Sequence, residues 1–336
     1  MLRPHFEITI NDVVIKNIGF LEIVSSWDSY TDTAKLMFPI KFNRDGVTIT
    51  TKVDSLFKRG DFVTIRSGYF PDLTTVFQGY ITRITPNSPI EIEMEDEANL
   101  LKQKNVSFSK KEVTLNSLIE EVVGSTVEYN VVGDPANPTQ LGTIKTKGRP
   151  NVIQVLDKLR KVYGIVSYVR DRVLQVGLAY YPETSRTVEI AFERQVISST
   201  KLEFLKEDDT KVVLKGQNRN KDNTKSELWA YYENGIIQVS ETRQEGDVQK
   251  SLMTLNLTSE QLEAKLRAEL PKYIYSGYRG NITTFGQPII KHGDTVALSS
   301  TKFPERDSSY KVDKVVTRFT PSNGYKQIVT LGIRVD

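Results

Sequence analysis

The sequence predicts a mainly β fold in which two similar antiparallel β-modules flank an inserted α+β region. One pattern of turn and strands occurs twice, as Gly60–Ile65 with Ile81–Pro86 and as Gly293–Leu298 with Val316–Pro321. Each copy opens with Gly-Asp and closes with Thr-Arg-x-Thr-Pro, and the aspartate precedes the first of these threonines by 21 residues in one copy and 23 in the other. A shared order at nearly equal spacing indicates a duplicated module.

Residues 1–105 are predicted to form the first module. Phe6, Ile8 and Ile10 alternate with polar residues, as in a strand with one buried face. Further strand-like runs extend through this segment, so we expect β structure throughout and a small antiparallel barrel or sandwich.

Residues 106–190 change to a helical period and predict an α+β domain. One helix is predicted from a cap at Thr114 to Gly124, and a second from Asn151 to Gly164. The residues after Gly164 read as a hairpin, because two apolar runs flank Arg170-Asp171-Arg172. A turn-rich loop, Gly133–Pro138, separates the helices.

Residues 191–336 are predicted to form the second module, interrupted by one helix over Ser259–Leu270. Thr258 and Gln261 have the spacing of a capping box, Leu257 and Leu262 that of a hydrophobic staple, and Pro271 marks the end of the helix. The hydrophilic run Gln217–Asn223 is predicted to be an exposed loop or hairpin tip.

Composition excludes several classes of protein. The net charge of +3 is too weak for a specific nucleic-acid-binding surface, which needs a dense basic cluster. The absence of cysteine excludes disulfides and thiolate chemistry. No apolar run approaches the roughly 20 residues of a membrane span, and the N-terminus lacks a signal-peptide pattern, so we expect synthesis in the cytoplasm.

The residue patterns do not predict an enzyme, a cofactor or a metal site. Only His5 and His292 are histidines, and neither has a partner at metal-ligand or triad spacing, so both are interpreted as turn or edge residues. No glycine loop carries the phosphate-binding pattern. The acidic cluster Glu91–Glu97 alternates with apolar residues, which favours a solvated strand face over a pair of catalytic carboxylates.

Several residues of the repeats have more than one interpretation. Gly-Asp before a strand is typical of a turn, in which glycine takes a positive φ and aspartate bonds backbone amides, with metal or substrate contact as the alternative. Arg83 and Arg318 precede a turn proline in both copies; they could line a bore, bridge subunits or be exposed strand residues. Trp27 and Trp229 are read as core or interface anchors, with sugar-stacking platforms as the alternative.

Three segments resemble the late control protein D group of phage tail proteins. These are the central hubs of contractile-tail baseplates, related to the N-terminal hub part of type VI secretion VgrG spike proteins. The segments are Asn151–Val176, with Tyr163-Gly164 between its helix and hairpin; Ser259–Leu270, leading to Tyr278-Arg279-Gly280-Asn281; and Phe285–Leu298, with its Gly-x-Pro and Gly-Asp-x-Val patterns. Because Val335-Asp336 directly follow the last predicted strand, we expect no attached spike, lysozyme or effector domain.

The resemblance implies a homotrimer. Each chain would contribute two tube-like β-barrels to a pseudo-sixfold ring that adapts a sixfold tail tube to a threefold spike. The implied partners are other copies of the chain, the tail spike protein, the tail tube and other baseplate proteins, with DNA passing non-specifically through the lumen and no membrane insertion. The implied location is the virion tail or baseplate, assembled in the host cytoplasm. The residues that carry the structural signature are Gly60, Asp61, Arg83, Pro86, Gly164, Gly286, Pro288, Gly293, Asp294, Arg318 and Pro321.

Two other functions stay open on the sequence. A β-rich chain with exposed polar loops and fifteen tyrosines is also consistent with a carbohydrate-binding or cell-wall-lytic tail-tip protein. The same hub fold also serves type VI secretion or tailocin machines. Cyclic assembly is physically favourable in either setting, because open β-modules carry unpaired strand edges that a closed ring covers.

Overall fold

A computed structural model describes residues 3–39, 41–44, 47–50, 56–132, 139–146, 148–177, 179–180, 186–205, 211–219, 225–233, 236–255, 258–270, 274 and 276–335. The chain forms two compact units, Met1–Lys201 with Asn281–Asp336, and Leu202–Gly280. The three domains predicted from the sequence, 1–105, 106–190 and 191–336, stay a prediction. Within the first unit, β23 from the C-terminal part of the chain pairs with β3 from the N-terminal part.

Most of the described secondary structure is β. The strands are β1 (Pro4–Ile10), β2 (Val13–Ile15), β3 (Phe20–Ser26), β4 (Thr33–Phe38), β5 (Lys41–Arg44), β6 (Val47–Thr50), β7 (Phe62–Tyr69), β8 (Asp72–Thr85), β9 (Ile90–Glu95), β10 (Ser109–Thr114), β11 (Tyr129–Val131), β12 (Gln140–Lys145), β13 (Val166–Arg170), β14 (Val173–Gly177), β15 (Thr187–Ala191), β16 (Val196–Leu205), β17 (Val212–Arg219), β18 (Lys225–Glu233), β19 (Ile236–Ser240), β20 (Val248–Leu255), β21 (Gly277–Phe285), β22 (Thr295–Ser299), β23 (Ser308–Thr320) and β24 (Gly324–Arg334). The helices are α1 (Ala98–Gln103), α2 (Leu115–Val123), α3 (Val152–Tyr163), α4 (Phe192–Gln195) and α5 (Ser259–Glu269).

One large sheet contains the same five-strand arrangement twice. In the first module the chain order β3, β4, β7, β8, β9 gives the sheet order β3-β4-β9-β8-β7. In the second module the chain order β16, β21, β22, β23, β24 gives the sheet order β16-β21-β24-β23-β22. The two modules therefore share one topology, and β23 of the second joins β3 of the first.

The first module has its own apolar core on the inward face of its strands. The alternating burial of β1 and β9 follows the pleat, with every second side chain buried. The core residues include Phe6, Ile8, Ile65, Ile92 and Met94. At about 25 cal/mol per Å² of apolar area removed from water, such a continuous face is the main force holding the module together.

The α+β part packs α1, α2 and α3 against β10–β14 around a separate core. Thr114 caps α2, and Asn151 caps α3 through a capping box with Gln154. Gly164, with a φ of 72°, ends α3 in the left-handed conformation. The two predicted helices and the hairpin β13–β14 are confirmed; the predicted loop 133–138 lies outside the described residues.

The second unit carries the sheet β19-β18-β17-β20, against which α5 packs through Leu262, Leu266 and Leu270. Thr258 and Gln261 form the predicted capping box. Leu257 and Pro271 lie outside the described residues. The predicted exposed loop was wrong at its start, because Gln217–Arg219 belong to β17, where Asn218 is buried and bonds the Thr254 hydroxyl at 3.1 Å.

The expectation of β structure throughout residues 1–105 was also wrong at one place. Helix α1 forms there because the Asp96 carboxylate accepts a hydrogen bond from the Ala98 N–H at 3.0 Å, and Ala98 and Leu101 are fully buried. The mainly β fold with large antiparallel sheets is confirmed.

Candidate assembly site

The two Gly-Asp turns have the same hydrogen bonds. In the first, Gly60 N–H donates to Ile81 O at 2.8 Å, Ile81 N–H donates to Asp61 O at 3.0 Å, and the Asp61 carboxylate accepts from Lys58 N–H at 2.9 Å. In the second, Gly293 N–H donates to Val312 O at 2.7 Å and Val312 N–H donates to Asp294 O at 2.9 Å.

The Asp294 carboxylate completes the match by accepting from Lys291 N–H at 2.9 Å. Both glycines have a positive φ, 88° at Gly60 and 79° at Gly293. Residues other than glycine rarely adopt such a φ. The turns are therefore equivalent, and Ile81 corresponds to Val312.

The strands that follow the two turns are also equivalent, because both contain a shift in register at the same position after the turn. The pairing of β8 with β9 shifts between Ile81 and Arg83, and that of β23 with β24 shifts between Val312 and Lys314. Such bulges locally increase the strand twist. Counted from the bulge, Arg83 corresponds to Lys314 rather than to Arg318, although the sequence motif aligns the two arginines.

The two modules meet where β23 pairs antiparallel with β3, from Lys314 opposite Ser26 to Phe319 opposite Leu21. The Arg318 guanidinium pairs with the Glu22 carboxylate across this junction. At one end the Ser26 hydroxyl donates to Asp313 O at 3.1 Å, and Trp27 Nε1–H donates to the Asp313 carboxylate at 2.8 Å. Trp27 thus anchors the junction, as one of its two interpretations expected.

The second Gly-Asp turn is buried and held by arginines. Arg170 of β13 donates through Nη2 to the Asp294 carboxylate at 2.7 Å and through Nη1 to His292 O at 2.5 Å. Arg186 donates to the other carboxylate oxygen at 3.1 Å. The side chains of Arg170 and Asp294 are 5% and 0% exposed, so their charges compensate each other away from water.

His292, which the sequence suggested to be a turn or edge residue, lies buried beneath the end of β3. Its Nδ1 is 2.5 Å from the Ser25 hydroxyl, which donates to the Asp32 carboxylate at 2.5 Å. When Asp32 is ionised, its carboxylate can only accept the serine proton, so the histidine is then the donor in the first contact and carries its proton on Nδ1. In this chain of hydrogen bonds Ser25 lies between His292 and Asp32. A hydrolase triad has histidine between serine and aspartate, so this is a different arrangement.

Burial sets the protonation states of this cluster. It lowers the pKa of His292 to about 3, assisted by the nearby Arg170 charge, and raises the pKa of Asp32 to about 7. Burial and the Asp32 charge also raise the pKa of Asp96, whose carboxylate accepts the Asp32 N–H at 2.8 Å. A neutral histidine under the junction is therefore expected at neutral pH.

Among the described residues, no strand covers the first Gly-Asp turn in this way. Lys58, Arg59 and Gly60 are exposed, whereas their counterparts Lys291, His292 and Gly293 are half-buried or buried. The same turn is thus covered by β3 in one module and open in the other.

The Gly286–Pro288 segment is held against β24. A Cβ added at Gly286 would lie 1.9 Å from Tyr325 Cδ1, so only glycine fits there. The Gln327 amide donates to Phe285 O at 3.1 Å and Pro288 O at 2.8 Å, and its carbonyl oxygen accepts from Ile290 N–H at 2.9 Å.

The remaining predicted residues lie at surfaces. Arg83 is exposed and pairs with Glu91 and Glu93 within its own hairpin. Pro86 follows β8 and Pro321 follows β23, each next to a strand end. Trp229 contacts Lys215 on the sheet of the second unit.

Sequence reasoning did not single out Arg170, Gln327 or Ser25. Gln327 had a signal, since it occupies an inward position of the alternating run Tyr325, Gln327, Val329, Leu331, where a polar residue needs a partner. Arg170 and Ser25 had no such signal, because Asp294 and His292, which they contact, are more than 100 residues away in the chain.

Metal-ligand groups and membrane-spanning helices are absent from the described part of the chain. Its residues include no group of three or more His, Asp or Glu side chains that could hold a metal ion. None of the helices in these ranges has the length and apolar character needed to cross a membrane.

No protein-family model matches the chain, and no curated protein sequence matches it. Solved structures do match over nearly the whole chain. A 43 kDa tail protein of prophage MuSo2 from Shewanella oneidensis is 14% identical with a TM-score of 0.65, over 98% of this chain and 97% of that one. A tail protein from Neisseria meningitidis MC58 is 13% identical with a TM-score of 0.65, over 99% and 97%.

A component of the type VI secretion system of Escherichia coli, described as structurally similar to T4 tail proteins gp27 and gp5, is 10% identical with a TM-score of 0.58, over 98% of this chain and 77% of that one. At such identities the likeness concerns the fold. The chain has the fold shared by these tail proteins and this secretion-system component.

Proposed function

We propose that this chain is a non-enzymatic structural hub of a phage or phage-like tail baseplate. It assembles as a homotrimeric ring of six β-modules, adapts a sixfold tail tube to a threefold spike, and lets DNA or other cargo pass. Its partners are other copies of itself, the spike, the tube and neighbouring baseplate proteins.

The observation that carries the proposal is the junction between β23 and β3. It joins two modules of one topology through unlike edges, so it is a head-to-tail contact inside a single chain. Head-to-tail contacts between similar units generate rings when the rotation between units closes. Three chains with two modules each would supply the six positions of a sixfold ring.

The fold likeness supports the same role. The two tail proteins match over 97% of their own length, so the comparison involves whole chains rather than one shared module. The similar secretion-system component leaves both a phage and a secretion setting compatible with the fold.

A weakly charged chain suits a passage for DNA. Dense lysine and arginine in a bore would bind phosphates through counterion release and retard movement. A net charge of +3 over 336 residues imposes little such retention overall.

Light scattering of purified protein tests the assembly. We expect particles of three 38.2 kDa chains, formed alone or on addition of the cognate spike or tube protein. A chain that stays monomeric with both partners contradicts the proposal. A glycan array and a cell-wall digestion assay should both be silent, and a positive result in either would favour the carbohydrate-binding or lytic alternative.

A further inference from the structure

We infer that the edge strand β16 of one chain pairs antiparallel with residues Arg83–Thr85 of β8 in a second copy of this chain. The inference rests on the proposed ring and names the contact that closes it. Four independent features of the chain lead to this pair of strands.

The first feature is the equivalence of the modules. Topology equates β16 with β3 and β8 with β23, and the turns and bulges equate Arg83, Ile84 and Thr85 with Lys314, Val315 and Val316. Within one chain, Lys314–Val316 pair with Ser26–Val24 of β3. The counterpart of this junction is therefore β16 on β8.

The second feature is that both counterpart edges are uncovered. Among the described strands, β16 ends the sheet with β21 as its neighbour, and none of its ten residues is buried. By contrast, Leu21, Ile23 and Ser26 of β3 are buried. The pairing of β7 with β8 extends only to Tyr80, which leaves the same side of Arg83–Thr85 without a described partner strand. Uncovered strand edges favour pairing with another chain.

The third feature is the difference between the two Gly-Asp turns. In the second module, the end of β3 lies on the turn through the Ser25–His292 contact. In the first module, the residue equivalent to His292 is Arg59, which is exposed together with Lys58 and Gly60. An incoming strand placed as β3 is placed would cover this open turn.

The fourth feature sets the register. Ile23-Val24-Ser25-Ser26 of β3 matches Val196-Ile197-Ser198-Ser199 of β16. Ser26 lies opposite Lys314 and Ser25 opposite Val315. The equivalent intermolecular pairs are Ser199 with Arg83 and Ser198 with Ile84.

A second copy is the occupant that this geometry selects. In the sheet order, β16 and β8 lie on opposite sides of the β23–β3 junction, so one chain offers each edge to a different neighbour. The contact continues a junction already present in the chain, and repeating it gives a heterologous, closing assembly.

Cysteine cross-linking tests the contact, because the chain has no native cysteine. The double variants R83C/S199C and I84C/S198C cover two neighbouring cross-strand positions, so both hydrogen-bonded and non-hydrogen-bonded geometries are sampled. Copper-phenanthroline oxidation should convert either double variant to a covalent species of three times the chain mass on a denaturing gel. Equal mixtures of R83C and S199C should give covalent dimers, and each single variant alone should stay at the monomer mass.

The matched control is S26C/K314C, which reports the internal junction and should close within one chain without a mass increase. If light scattering shows trimers but neither double variant cross-links between chains while the control closes, the inference is overturned and the proposed trimer stands. If no trimer forms with or without spike and tube proteins, the proposed function and this inference both fail. Cross-linking of S199C alone would indicate a symmetric contact and would also overturn the inference.

Discussion

The Arg318 guanidinium and the Glu22 carboxylate pair across the only backbone junction that the described strands form between the two modules. The Arg318 side chain is 54% exposed, so water screens the pair. The paired strands β23 and β3, with the buried side chains beneath them, must therefore provide most of the stability of the junction.

This relationship predicts a small effect of removing the ion pair. In a double-mutant cycle, R318A and E22A should show a coupling energy of about 0.2–1 kcal/mol, measured by urea unfolding. R83A, which removes an exposed pairing within one hairpin, is the matched control. A coupling above about 2 kcal/mol would mean that the pair, and not the sheet, holds the modules together.

Removing the carboxylates of the two equivalent turns should have unequal effects. D294A removes the buried carboxylate that pairs with Arg170 at 2.7 Å, leaving the exposed Asp171 at 3.7 Å, and should lower the free energy of unfolding by about 3–5 kcal/mol. D61A removes mainly a bond to the Lys58 amide and should lower it by about 1–2 kcal/mol. Urea unfolding of both variants measures the difference, and equal losses would show that the arginine adds nothing to the turn.

Local signals explain what the sequence predicted well. Capped helices at Thr114, Asn151 and Thr258 and the paired Gly-Asp turns depend on residues a few positions apart. The junction of β3 with β23 joins positions nearly 300 residues apart, and no local pattern specifies it.

The repeat alignment shows the same limit of local patterns. The sequence equates Arg83 with Arg318 through the Thr-Arg-x-Thr-Pro motif, but β23 continues eight positions beyond Val312 to Thr320, whereas β8 continues four beyond Ile81 to Thr85. The added length lets β23 pair with β3 beyond Val316, as far as Phe319. Buried polar partners such as Ser25 and His292 were likewise beyond sequence reasoning, because each needs the other, distant residue to be explained.

The buried cluster under the junction predicts opposite pH effects of two substitutions. The folded pKa of Asp32, about 7, lies above the unfolded value of about 3.9, so its contribution to stability is lost as the pH rises from 4 towards 7. The folded pKa of His292, about 3, lies below the unfolded value of about 6.5, so its contribution is lost as the pH falls from 6.5 towards 3.

Between about pH 4.5 and 6 these two slopes oppose each other. Relative to the wild type, D32N should make the slope of unfolding free energy against pH more positive, by up to about 1.4 kcal/mol per pH unit. H292N should make the same slope more negative by a similar amount. Urea unfolding at several pH values in this interval measures the slopes. Parallel slopes for the wild type and both variants would show that neither group changes its pKa on folding.

The approach of Tyr325 to the backbone at Gly286 predicts a site that tolerates no side chain. In G286A the new methyl group would lie 1.9 Å from the Tyr325 ring, which is itself buried and bonded to the Ser67 hydroxyl at 2.6 Å. The ring cannot move without breaking that bond, so overpacking should lower the free energy of unfolding by about 1–3 kcal/mol or more. G19A is the control, because its methyl group would meet only Met37 O at 3.7 Å, and it should differ little from the wild type. Thermal and urea unfolding of the two variants measure the difference. A G286A protein as stable as G19A would mean that β24 can shift away from this segment without an energetic penalty.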